Sequence, residues 1–299
     1  MIREWLKESN RNSAKYYFNI IDLAEIKTID EEILNYLGKV VLESYAQKEN
    51  LKIRFKEKPE EDLKKYLTKQ VFPDIYKFPE EKKNQLAKNV MQGDFGEILT
   101  SDIVRKLRNL KVPIIKMRFK FNNNKSVFCT DLFAHNLGDT ITDLTYYEVK
   151  TRATNNKEKL DKNSDCESHY IAYNAAKSLM KDQQDDNSEG IADFLVRWYY
   201  EKAQTCLECS NEEMAEKYYE LSKMYDDIVL NSDKYSKNFE VVLIMQKDKY
   251  TDNILDDLNE LDFSCGELKI TILLIEDIKK LYLEVFDYAY RYAKEFVYD

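Results

Sequence analysis

The apolar positions change period several times along the chain. Over residues 29–47 they fall at helical spacing, with Ile33, Leu34, Leu37, Val40, Val41 and Tyr45 on one face and Ile29-Asp30-Glu31-Glu32 at the start. Residues 60–69 and 80–91 read as polar helices, the first flanked by Pro59 and Pro73. Residues 93–110 read as the next helix, striped by Ile98, Leu99, Ile103, Val104 and Leu107, with Glu97 in its first turn. Further helices are expected over 169–181, over 191–208 with 212–230 as a helical hairpin, and over 276–296. Extended segments are expected over 13–23, 51–56 and 112–121. Residues 239–246 and 268–275 are apolar almost throughout, the pattern of strands buried on both faces. The expected fold is α/β, or mixed α+β: a central mixed sheet flanked by helices. Residues 1–90 are set apart as a mainly helical region that binds a partner, and 91–299 form the main domain with 191–230 as an insertion.

Residues 127–153 hold the chemistry. Two runs of β-branched and aromatic residues flank a polar connection that contains Gly138, a hairpin signal. Alternation puts Tyr146, Glu148 and Lys150 on one face of the second strand, and Tyr147, Val149 and Thr151 on the other. On the first strand Val127, Cys129, Asp131 and Phe133 line up, and Asp131 is the acid in an apolar run. Burying a carboxylate there is costly unless it meets a cation or a donor. Pairing the strands brings Asp131 beside Glu148 and Lys150. Such oxygen ligands suit a hard cation such as Mg²⁺ that also binds phosphate.

These residues resemble the D…(D/E)-x-K signature of the PD-(D/E)xK nuclease superfamily, with Glu148-Val149-Lys150 following Asp131. Thr130 stands where the proline of that signature would be. Upstream, Gly93-Asp94-Phe95-Gly96-Glu97-Ile98-Leu99 resembles the superfamily's G-E-x-L helix. In length and motif order the chain is similar to the nuclease subunit of the Hachiman anti-phage defence system. The resemblance implies an αβββαβ restriction-endonuclease-like core and metal-dependent DNA cleavage. It implies a metal, Mg²⁺ or Mn²⁺, on Asp131, Glu148 and the Val149 carbonyl. Glu97 would serve a second ion or a metal-bound water, and Lys150 would orient or deprotonate the attacking water. It also implies a helicase partner that uses ATP and grips DNA. A catalytically silent subunit of the same fold and an RNA-cleaving nuclease are the competing readings.

Charge sharpens this expectation. The 299 residues carry 46 Lys and Arg against 55 Asp and Glu, a formal net charge of −9. Phosphate contacts dominate nucleic-acid affinity, so an acidic chain needs local basic segments or a partner to hold DNA. Lys116, Arg118 and Lys120 alternate with apolar residues and read as one charged strand face. Arg152, His169 and Lys177 are further candidates. Asp139 and Asp143 fall in the hairpin connection, where Asp favours turns. Residues 182–190 read as a solvated acidic loop. Cys206 and Cys209 lack the second ligand pair of a zinc site. His135 and His169 have no nucleophile at readable spacing, and packing or capping is expected of them. There is no G-x-x-x-x-G-K-[ST] run for ATP phosphates. Five cysteines show no disulfide framework, and no signal sequence or apolar run of about 18 residues is apparent, so a reduced, cytoplasmic, soluble protein is expected.

Overall fold

The fold is that of a computed structural model, which describes residues 1–73, 81–120, 130–138, 140–160, 167–184 and 190–299, with 81–86 and 184 described for the backbone alone. Its centre is a six-stranded mixed sheet in the order β1-β2-β6-β5-β4-β3. The strands are β1 (Leu6–Arg11), β2 (Asn19–Glu25), β3 (Leu132–His135), β4 (Asp143–Arg152), β5 (Ser236–Gln246) and β6 (Glu267–Ile275). β2, β6, β5 and β4 run parallel to one another, while β1 and β3 close the two edges antiparallel. The near-continuous apolar content of β4, β5 and β6 follows from this, because helices cover both faces.

One face packs on a short turn α1 (Ile2–Trp5) and on α2 (Glu31–Tyr45), α3 (Lys48–Phe55), α4 (Glu60–Tyr66), α5 (Glu81–Lys106) and α9 (Ile278–Tyr298). The other face packs on α6 (Ile171–Gln184) and on the helical hairpin α7 (Gly190–Glu208) and α8 (Glu212–Leu230). The Asp30 carboxylate accepts from the Ile33 N–H at 3.0 Å and starts α2 as its N-cap. The first ninety residues supply two strands of the sheet, and α2 lies along α9. The apolar cluster on the α5 face draws on residues from Ile2 to Val297.

Besides β1, which was not expected, three further elements differ in kind from the expectation. Residues 51–56 are helical within α3, because Leu51 and Phe55 also fit an i, i+4 face and are buried, while Ile53 is 76% exposed. The helices expected over 80–91 and 93–110 are one helix, α5. Gly93 and Gly96 weaken a helix by only about 1 kcal/mol each, and no proline interrupts it, so Glu97 lies well inside the helix. Residues 112–120 are not a strand: Lys111, just before them, makes one bridge to His135, and the segment then closes a 3₁₀ turn over Lys116–Phe119. Phe121, the turn 122–124, Val127, Cys129 and Asp139 lie outside the described residues.

The end of α5 is tied into the sheet. Asn109 takes the left-handed conformation (φ 59°), which asparagine tolerates, and the Leu110 N–H returns to the Val104 carbonyl at 3.1 Å. That turn aims Arg108 at the sheet. Its guanidinium donates to both oxygens of Glu240 at 2.6 and 2.7 Å, to Glu8 at 2.7 Å and to Thr271 Oγ1 at 2.9 Å. Strands β1, β5 and β6 are thus pinned to α5 by a single side chain.

Candidate active site

The hairpin register sets the site. Leu132 pairs with Tyr147 and Phe133 with Tyr146, so the next pair brings Asp131 opposite Glu148. β3 stops at that point. The Asp131 carboxylate takes over one ladder position and accepts the Val149 N–H at 2.8 Å. Val149 therefore turns its backbone to the same edge as Asp131.

Glu97 arrives from the other side of β4. Gly96 lies so close to the strand that a Cβ there would fall 1.9 Å from Thr151 Oγ1 and 3.4 Å from Val149 Cγ1. The missing side chain lets α5 press against β4 and bring the next residue to the acids. The Gln92 side chain adds a hydrogen bond to the Thr151 carbonyl at 2.5 Å.

Two lysines stand among the acids. Lys150 Nζ meets Glu148 Oε1 at 2.5 Å. Lys116 Nζ donates to the Thr130 carbonyl at 2.7 Å and lies 3.6 Å from Asp131 and 3.8 Å from Glu97. Lys116 is 5% exposed, so it is an internal member of the cluster and not a surface contact for DNA. Sequence reading missed this because alternation along a supposed strand hid the 3₁₀ turn that redirects the side chain. The other two cations of that stretch also have separate partners. Arg118 donates to the Glu43 carbonyl at 3.1 Å, and Lys120 pairs with buried Asp94, which also accepts from the Tyr45 hydroxyl. The three do not share one charged face.

Burial dominates the electrostatics. It pushes the Glu148 carboxyl up to about 7, with Asp131 adding to the rise and Lys150 opposing it. Burial, then Asp131, pushes Glu97 up to about 8, against the pull of Lys116. Burial alone would lower the Lys150 ammonium, but Glu148 and Asp131 outweigh it and hold the group above its ordinary value, so Lys150 is charged. Asp182, at the end of α6, adds negative potential at Glu148 and accepts from Thr130 Oγ1 at 3.4 Å. It belongs to a helix, not to a solvated loop.

Glu148 Oε2 is buried and makes no hydrogen bond. The same holds for Thr151 Oγ1 and Asn174 Oδ1 near it, and of these Glu148 Oε2 is the atom that carries carboxylate charge. A carboxylate oxygen in that state suits a cation. Among the described residues no three of His, Cys, Asp and Glu form a ready-made metal-binding group; Lys116 lies between Glu97 and Asp131, and Lys150 pairs with Glu148. The donors present are nevertheless all oxygen: Asp131, Glu148 with its unpaired atom, and the main chain at Val149. That set fits a hard divalent ion that keeps several waters. Glu148 and Lys150 open onto a cavity of about 150 Å³, lined also by Arg152, Glu158, Lys159 and Asn174.

A family model described as HamA matches residues 1–289. The chain belongs to the HamA family. It is a HamA-like subunit of the Hachiman anti-phage defence system. Comparison with curated proteins returned no match. Among the described residues of this HamA chain, no helix is long and apolar enough to cross a membrane.

The remaining candidates have structural partners in the HamA fold. Arg152 pairs with Glu158 at 3.2 Å. His169 lies 3.4 Å from Asp257 and stacks on Tyr173 at 3.9 Å between centroids, and Lys177 sits over the same ring at 5.6 Å. His135 is buried, with Nε2 3.0 Å from the Tyr225 hydroxyl and Nδ1 2.8 Å from the Asn136 carbonyl. Cys206 and Cys209 are free thiols at the end of α7, Cys209 exposed.

Proposed function

We propose that the chain is a Mg²⁺- or Mn²⁺-dependent endonuclease of PD-(D/E)xK type. It hydrolyses DNA phosphodiester bonds as the effector of its defence system and works with a helicase subunit. The observation that carries this reading is the unpaired, buried Oε2 of Glu148 at the meeting point of Asp131, Lys150 and the Val149 backbone. Lys150 meets the other oxygen of Glu148 and leaves this one open to a cation.

Asp131, Glu148 and the Val149 carbonyl would hold the ion, and Glu97 lies across Lys116 to hold a second ion or a metal-bound water. When bound, such an ion lowers the pKa of a water and neutralises charge on the phosphoryl oxygens. The charged Lys150 ammonium orients the attacking water and faces the negative charge that develops on the phosphate. Because it is protonated at rest, its role is to donate and position, and the base is another water or the phosphate itself. Asp131 also fixes β4 through the Val149 N–H, so one carboxylate serves both as ligand and as brace. Membership of the HamA family supports a helicase partner, which would supply the ATP use for which this sequence has no recognisable phosphate-binding loop.

The test is a digest of supercoiled DNA, single-stranded DNA and RNA with Mg²⁺, using wild type, Glu148→Ala and Lys150→Ala. Both variants are expected to keep the fold and lose cleavage. Undiminished digestion by either variant rejects the assignment. An RNA-only digest moves the substrate to RNA, and an inert wild type with no calorimetric Mg²⁺ binding makes the chain a silent subunit.

A further inference from the structure

A second and roomier cleft lies apart from the one that holds Glu148. It encloses about 880 Å³ between α3, α4, the end of α5, residues 111–120 and α7. Its charged lining is Arg54, Arg105, Lys111, Arg118, Lys120 and Lys202, and among the described residues no Asp or Glu lines it. The chain as a whole has 55 acids against 46 Lys and Arg, so this concentration of one sign is local and built. Arg118 makes the point within the cleft. Burial lowers its guanidinium from its ordinary value, and the neighbouring charge of Arg105 lowers it further. Arg105 pairs with Asp102 behind the cleft at 3.8 Å, and Arg118 donates to the carbonyl of Glu43, whose carboxylate opposes the shift. Within the cleft itself the two guanidinium groups add positive charge that an anion would meet.

Several of these cations stack on rings. Arg54 lies 4.2 Å from the Tyr66 centroid and Lys202 lies 5.8 Å from that of Trp198. Trp198 in turn meets Phe119 edge-on at 6.2 Å. Cationic groups beside aromatic faces are what a nucleic-acid strand needs: phosphates pair with the former, and unstacked bases lie on the latter. Residues 111–120 form a wall shared with the acid cluster. Ile115 and Met117 face the cleft, while Lys116 between them reaches Glu97 and Asp131.

We propose that this cleft binds a single polynucleotide strand, with Arg54, Arg105, Lys111, Arg118 and Lys202 on its phosphates and Trp198 under a base. The proposal rests on the nuclease reading for its purpose, which is to hold the strand beside the acids. The aromatic lining favours a strand whose bases are unstacked over a duplex, whose bases are stacked on one another.

The test uses the full chain with EDTA present, so that binding is read without cleavage. Fluorescein-labelled DNA and RNA oligonucleotides of about a dozen nucleotides, and the DNA duplex, are titrated by anisotropy between about 50 and 200 mM salt. Single strands are expected to bind better than the duplex. The slope of log K against log salt should fall by about 0.7 for each of Arg54→Ala, Lys111→Ala and Lys202→Ala, which are exposed positions where thermal melts check the fold. Binding should also quench tryptophan emission through Trp198, because Trp5 is fully buried, and Trp198→Phe should abolish the quench. The DNA and RNA arms decide which strand is held. No binding at the lowest salt, a preference for duplex, or unchanged slopes in all three variants overturns the proposal. If strands bind as expected but wild type never cleaves with Mg²⁺, the cleft stands and the nuclease reading fails. If the triple variant cleaves with unchanged KM, the cleft fails and the nuclease reading stands.

Discussion

Arg108→Met is the sharpest test of how α5 is held. The guanidinium is 12% exposed and Glu240 4% exposed, and four hydrogen bonds join Arg108 to Glu240, Glu8 and Thr271. At 2.6–2.7 Å and an effective dielectric near 20, each full charge pair is worth at most about 6 kcal/mol before desolvation. Removing one partner of such a pair strands the other, and measured losses are about 3–5 kcal/mol. Methionine fills much of the volume, so the loss is electrostatic and not a cavity. For a chain of 299 residues, about 2 °C per kcal/mol gives a fall in Tm of about 6–10 °C. Urea unfolding of wild type, Arg108→Met, Glu240→Leu and the double variant reads it directly. The double variant should be more stable than Arg108→Met, since no charge is then left buried. A loss below about 1 kcal/mol in Arg108→Met, or additive effects in the cycle, refutes the account of this network.

Two further outcomes are expected. Gly96→Ala places a methyl against Thr151, so α5 must move off β4. Overpacking of this kind costs about 1–3 kcal/mol, and cleavage should fall further than thermal stability does, whereas full activity in a well-folded variant would show that the close approach does not place Glu97. The raised carboxyls give a pH signature: with no metal, Glu148 and Glu97 favour the protonated fold, a contribution complete below their unfolded value near 4.5 and lost as pH rises through about 7 and 8. Mg²⁺ binding should therefore tighten over the same range and release protons, seen as a calorimetric heat that depends on the buffer; a flat profile shows that neither carboxyl is a ligand.

The hairpin and its acids were legible because strand alternation is strict: one register places Asp131 opposite Glu148, and a two-residue step places Lys150. The buried parallel strands were legible from unbroken apolar runs, and α2, α7, α8 and α9 from helical stripes. What failed was local ambiguity. Leu51, Ile53 and Phe55 satisfy a strand period and a helix face equally, and burial of two of the three decided for the helix. β1 was missed because Leu6–Arg11 is polar and sits at a sheet edge, where the partner strand and not the composition defines it. Lys116 was misplaced because a 3₁₀ turn has no apolar period to read. Its clue was chemical: three converging carboxylates require compensating charge.

The elements that carry the cluster differ in how firmly they are held. Glu97 is inside a 26-residue helix, and Glu148 and Lys150 lie within a strand hydrogen-bonded in the interior of a six-stranded sheet. Lys116 hangs from a four-residue turn on an otherwise irregular segment, and Asp131 lies just before β3, tied to β4 through the Val149 N–H. Local opening free energies follow such differences in backbone pairing. On the proposed function, exchanging the Lys116 ammonium for a metal ion would ask this short turn to shift, while the helix and strand that carry Glu97 and Glu148 keep their pairing. Of the groups around the acids, Lys116 is therefore the one whose displacement would cost the fewest backbone hydrogen bonds of a strand or long helix.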